Sequence, residues 1–75
     1  MAASETEFEV VLQSEDEGGF SVFVPRLPGC VSQGETREAA LAMIKEAIEG
    51  YLESLDAHGD PIPKPIEVER VTVEA

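Results

Sequence analysis

Few residue types in this chain are suited to chemistry. There is one histidine, His58, and one cysteine, Cys30. A histidine works as an acid or base only within a constellation that includes a nucleophile or an orienting partner. His58 sits beside Gly59 with no Cys, Ser or Lys in an obvious pairing context. It reads as a helix C-terminus, where the dipole mildly favours an imidazolium. Cys30 lacks a second Cys and an adjacent His, so one chain cannot build a structural zinc site around it. A small buried apolar role suits it better. A single thiol also excludes an intrachain disulfide and is compatible with a reducing cytosol.

The carboxylates are the remaining candidates. Glu15, Asp16 and Glu17 fall in one turn. Their oxygens are donors that Mg²⁺ accepts, but the ligand spacing of a calcium loop is missing. Solvated turn residues are the plainer reading. Gly18, Gly19 and Gly29 form no phosphate loop, because no Lys-Ser/Thr follows them and no helix starts there. A second acidic group, Glu46, Glu49 and Glu53, recurs at helical spacing opposite an apolar arc, with Glu38 nearby. Like charges three and four residues apart each cost roughly 0.2–0.5 kcal/mol. Lys45 offsets this only partly, since it precedes Glu49, the weaker orientation. Such a stripe either faces water or meets a basic partner. No catalytic, cofactor or metal site emerges, and the expectation is a protein that is not an enzyme.

The charge balance sharpens this. Sixteen acids against five bases give a net charge of −11. Nucleic-acid backbones are bound by Lys and Arg that neutralise phosphates, so direct nucleic-acid binding is not expected. Opposite fields speed the encounter of an acidic protein with a basic one, whereas solubility alone is the bland alternative. No apolar run approaches the roughly 20 residues of a membrane span. Met1 to Glu7 lacks the basic start and apolar stretch of a signal peptide, so the cytoplasm is the expected location.

Secondary-structure elements must position these groups. The 75 residues make one domain, 1–75, with 43% apolar residues and a core that must be mostly aliphatic, since Trp is absent. A domain this small is marginally stable alone and gains from association. Thr6 to Gln13 alternates apolar and polar residues and reads as a strand. Ser14 to Gly19 is a turn, and Phe20 to Val24 a second strand that Pro25 ends, completing a hairpin. Cys30 to Gln33 is a third, shorter strand. Thr36 caps a helix whose Leu41, Ile44, Ile48, Tyr51, Leu52 and Leu55 share one arc, and Gly59 and Pro61 stop it. Asp60 to Pro65, with alternating prolines, should be extended and stiff. Ile66 to Glu74 reads as a fourth strand, with Val71 and Val73 out of phase with Ile66 and Val68. Connection rules then give an α+β fold, β-β-β-α-β: an antiparallel meander, one helix packed on the sheet, and a fourth strand parallel to the first, in the order 3-2-1-4. The uncovered face carries Val11, Phe23 and Val71, which suggests that a second copy or a partner buries it.

Certain segments together resemble a known family. Phe20-Ser-Val-Phe-Val-Pro-Arg-Leu-Pro-Gly-Cys, then Gly34-Glu-Thr, the helix start Glu38-Ala-Ala-Leu, its end Ala47-Ile-Glu-Gly-Tyr-Leu, and Gly59-Asp-Pro-Ile-Pro are similar to the HicB-like antitoxin family. The resemblance spans about Phe8 to Pro65. It implies a partial RNase H-like fold and a partner, a basic HicA-like toxin that cleaves messenger RNA and carries the chemistry itself. The likeness to RNase H is one of fold, with no converging acids that imply nuclease activity. Many relatives add a C-terminal DNA-binding domain, which is not expected in this short form. Arg26 stands where the family often has an acid. The expected contact residues are Glu15, Asp16, Glu17, Glu46, Glu49 and Glu53, the expected assembly a homodimer or higher homo-oligomer. The alternative is a solitary oligomeric module with a regulatory or ligand-binding role and no toxin partner.

Overall fold

The structure is a computed structural model that describes residues 6–74. Three strands, β1 (Val11–Ser14), β2 (Phe20–Phe23) and β3 (Val31–Gly34), precede a helix, α1 (Arg37–Ala57). They form one antiparallel sheet in the order β1-β2-β3. This is the expected α+β meander, with displaced boundaries. β1 begins at Val11, not Thr6, because its partner runs out: Val11 pairs with Phe23, and Pro25 ends the neighbouring ladder. Phe8 and Val10 still pack on the core, continuing the alternation that identified the segment. The hairpin turn closes by bonds from Glu15 N–H to the Gly19 carbonyl and Gly18 N–H to the Glu15 carbonyl, each 3.0 Å.

The corner between β2 and β3 is more than a turn. Val24 N–H donates to the Cys30 carbonyl, Leu27 N–H to Val24, and Cys30 N–H to Leu27, all at 3.0 Å. Satisfying its own backbone in this way lets the corner enter the core. Leu27, which strand and helix periodicity pass over, is 0% exposed. It is buried with Val22, Val24, Cys30, Ala40 and Ile44. Burial pushes the Cys30 thiol above its ordinary value by penalising the thiolate.

The helix starts where the sequence indicates. Thr36 is extended (φ −125°, ψ 166°), and its Oγ1 accepts from Ala39 N–H at 3.0 Å. The helix ends in a Schellman arrangement: Gly59 N–H donates to the Asp56 carbonyl and Asp60 N–H to the Leu55 carbonyl. Gly59 takes φ +72°, a conformation in which a side chain would crowd the backbone. Close packing of α1 on the sheet depends on Gly34, where an added Cβ would lie 2.4 Å from Ala40 N. The helix lies mainly over β3 and β2. Tyr51 extends this contact by donating from its hydroxyl to the Pro28 carbonyl at 2.9 Å.

The fourth strand, expected over Ile66–Glu74 and parallel to the first, is not formed. Residues 60–74 run without pairing, turn or bend. Ile66, Val68, Val71 and Val73 are 49%, 68%, 82% and 77% exposed. In regular strand geometry Ile66 and Val68 point to one side and Val71 and Val73 to the other. A sheet covered on one face by a single helix offers apolar cover to only one of these pairs. The segment therefore gains too little by docking on its own chain, and the sheet ends at β1. The expected RNase H-like topology needs that strand; the described residues show a β-β-β-α arrangement.

Candidate functional site

The two acidic groups predicted from sequence sit in different places. Glu15, Asp16 and Glu17 are exposed in the β1–β2 turn. Glu15 accepts a 2.8 Å bond from the Ser21 hydroxyl, which ties it to its own hairpin. Glu15 and Glu17, with Gly19, Phe20, Gln33 and Glu35, line a shallow groove of about 630 Å³ where the hairpin meets the approach to the helix. Among the described residues no three His, Cys, Asp or Glu side chains converge as a ligand set. A metal site needs several donors that point to one centre.

Glu46, Glu49 and Glu53 are exposed along the second half of α1. Glu46 is about 14 Å and Glu53 about 24 Å along the axis from Arg37, at 1.5 Å per residue. The turn carboxylates lie beside the opposite end of the helix, near Glu35. The six expected contact residues thus make two separate acidic surfaces.

Glu49 also has surroundings that helical periodicity does not reveal. With Lys45 it borders an apolar groove of about 460 Å³ lined by Phe8, Val10, Leu41, Ile44, Ile48 and Leu52. The groove exists because α1 lies over β3 and β2 and leaves the β1 side of the same face open. It was missed in the sequence because each of its residues looks like ordinary core. The opposite face of the sheet carries a second apolar feature. Val11 pairs with Phe23 and Phe23 with Val31, forming one cross-strand row, 40%, 41% and 64% exposed. Val11 and Phe23 were expected there; Val71, expected with them, is on the unpaired arm.

His58 caps the helix. Its Nδ1 donates to the Ser54 carbonyl at 2.7 Å, closing the last turn. Arg26 has a structural role that the sequence did not disclose. Its Nε donates to the Pro63 carbonyl at 2.7 Å, and its guanidinium lies 4.9 Å from the centroid of the Phe8 ring. One side chain thus fastens the root of the C-terminal arm to the segment before β1. Among the described residues, no helix is long and apolar enough to cross a membrane.

Comparison with known proteins places this arrangement. Residues 8–75 match the family described as the HicB_like antitoxin of bacterial toxin-antitoxin systems. A UPF0150 protein of Thermoplasma acidophilum is 44% identical over 68 residues, covering 91% of this chain and 97% of that protein. A UPF0150 protein of Synechocystis is 51% identical over 76% of this chain and 72% of its own length. A protein of Photorhabdus laumondii named Antitoxin HicB 1 is 37% identical over 88% of this chain, which spans 44% of that longer protein.

Proposed function

This chain belongs to the HicB-like antitoxin family, and from that premise we propose that it binds and neutralises a basic, HicA-like, messenger-RNA-cleaving toxin in the cytoplasm. The observation that carries the proposal is the exposed acidic side of α1. Glu46, Glu49 and Glu53 project from a helix whose other side is engaged with the sheet. Held on a rigid element, these carboxylates offer a fixed pattern to Lys and Arg side chains at no ordering cost to the backbone. The net charge of −11 adds long-range attraction for a basic protein and repulsion for RNA. Neutralisation then consists of covering the cationic surface with which such a toxin holds its substrate. The antitoxin contributes no catalytic group. Glu15, Asp16 and Glu17 form a second, separate acidic contact. The assembly is a homodimer or a higher homo-oligomer, and the β-β-β-α core is a partial RNase H-like scaffold without nuclease chemistry.

Co-expression with a HicA-like protein tests this reading. A complex is expected at low salt, weakening as salt is raised, because the contacts are between exposed charges. Replacing Glu46, Glu49 and Glu53 together by Lys should abolish the complex and leave the melting temperature unchanged. Failure to bind any HicA-like protein at low salt would overturn the proposal.

A further inference from the structure

The apolar groove and the acidic side of α1 are neighbours. The groove takes Leu41, Ile44, Ile48 and Leu52 from the helix and Phe8 and Val10 from the segment before β1. At about 100° per residue, Leu41, Ile48 and Leu52 fall within about 40° of one another. Glu38, Glu49 and Asp56 lie about 60–80° round from Leu41, and Glu53 and Glu46 about 120–140°. All five acids are exposed. Lys45, about 40° round, is the cation between the two zones. The half-buried apolar wall thus passes directly into an acidic side, and Glu49 touches both.

The dimensions suit a second helix. α1 lies over β3 and β2 and leaves the β1 side of that face open. Packed helices run about 8–10 Å apart, close to the width of two strands, so a helix laid alongside α1 would rest over β1. From Leu41 to Leu52 the wall is about 16 Å long, or three helical turns.

Charge decides whose helix it is. The chain's own arm is a poor occupant. Pro61, Pro63 and Pro65 keep its root extended, and beyond them Glu67, Glu69 and Glu74 outnumber Arg70. Its Ile66 and Val68 line a separate pocket with Glu7, Glu9, Pro25 and Arg26, which shares no residue with the groove. A second copy, at −11, would bring acids against acids. A basic partner meets complementary charge beside an apolar anchor site.

We propose that the groove receives one amphipathic helix of the basic toxin, with apolar side chains seated between α1 and residues 8–10 and Lys or Arg on its flank paired with Glu49 and Glu53. This deepens the proposed function and rests on its toxin-binding reading. The groove supplies affinity that salt does not screen, and the acids supply orientation and encounter rate.

The full chain is titrated with a HicA-like protein, and cross-saturation maps the contact. Saturation transfer is expected at residues 8–10 and 41–52, from a helix that carries apolar and basic side chains. Leu41→Ala with Leu52→Ala should weaken binding by at least about tenfold, by the same factor at low and at raised salt, while the helical circular dichroism signal persists. Lys45→Glu removes the cation from the rim without touching the core. It should tighten binding severalfold at low salt, whereas Lys64→Glu, the same change of charge on the arm, should have a smaller effect. No complex at low salt overturns the toxin-binding reading and the groove's occupant together. A complex that is indifferent to the leucine pair, or to Lys45→Glu relative to Lys64→Glu, overturns the groove alone. So does a complex mapped to the β1–β2 turn or the opposite sheet face, or one that seats an extended or acidic segment in the groove. Contacts of residues 66–73 or of a second copy with Leu41 and Leu52 equally overturn it.

Discussion

Two glycines predict opposite responses to one substitution. At Gly34 an added Cβ would lie 2.4 Å from Ala40 N, 2.7 Å from the Ala39 carbonyl carbon and 2.8 Å from Ala40 Cα. These are backbone atoms of the first helical turn, so no side chain can swing aside. Relief requires β3 and α1 to separate by about 1 Å, since carbon contacts are favourable near 3.5–4.0 Å. The separation is felt by Ala40 and Ile44, the two buried residues of the helix, and by the Thr36 cap. Overpacking of this kind costs about 1–3 kcal/mol, and loss of the cap about 1 kcal/mol more. Gly34→Ala should therefore destabilise by about 2–4 kcal/mol, a large share of the roughly 4–11 kcal/mol expected for a domain of 75 residues. Gly50 lies in the helix interior with nothing within 4 Å of its added Cβ. Gly50→Ala should stabilise by about 0.5–1 kcal/mol, because glycine loses more backbone entropy than alanine in a helix. Urea denaturation followed by helical circular dichroism, at one protein concentration for all variants, measures both. A Gly34→Ala protein within about 0.5 kcal/mol of the parent would refute the claim that helix and sheet meet backbone to backbone at this point.

Two further outcomes follow from single residues. Arg26→Ala removes the bond to the Pro63 carbonyl and the stacking on Phe8, and should cost about 1–2 kcal/mol and speed amide exchange around residues 62–66. Lys at the same position should restore only part, since it lacks the planar guanidinium. The Cys30 thiol titrates above its ordinary value of about 9.0 because it is buried. Its folded pKa exceeds the unfolded one, so its contribution is fully present below about pH 9 and is lost as pH rises through the folded value. The difference in urea stability between the parent and Cys30→Ala should be flat near neutrality and shrink in alkali. Thiol reagents should label the parent at the rate of unfolding, and fast labelling of the folded protein would contradict the burial.

What the sequence determined by itself was local. Alternation located the strands to within a few residues, because side chains on successive strand positions face opposite ways whatever the chain packs against. Thr36 and Gly59 marked the helix ends, because their capping bonds lie within a few residues of themselves. The motif run around Pro25 to Cys30, with the Gly34-Glu-Thr launch and the Pro-x-Pro exit, sufficed to indicate the family, which the match over residues 8–75 shows. Periodicity also placed the acidic stripe of Glu46, Glu49 and Glu53 on an exposed side of the helix. The tertiary structure decided what depends on which element meets which. It drew Leu27 from a turn into the core, gave Arg26 the arm to hold, and set the turn carboxylates and the helical carboxylates at opposite ends of the helix. It also left Ile66–Glu74 unpaired, although the pattern there is that of a strand. A strand pattern records only a segment's readiness to pair. Pairing needs a free edge within reach and cover for both faces, and both are supplied by distant parts of the chain or by another molecule.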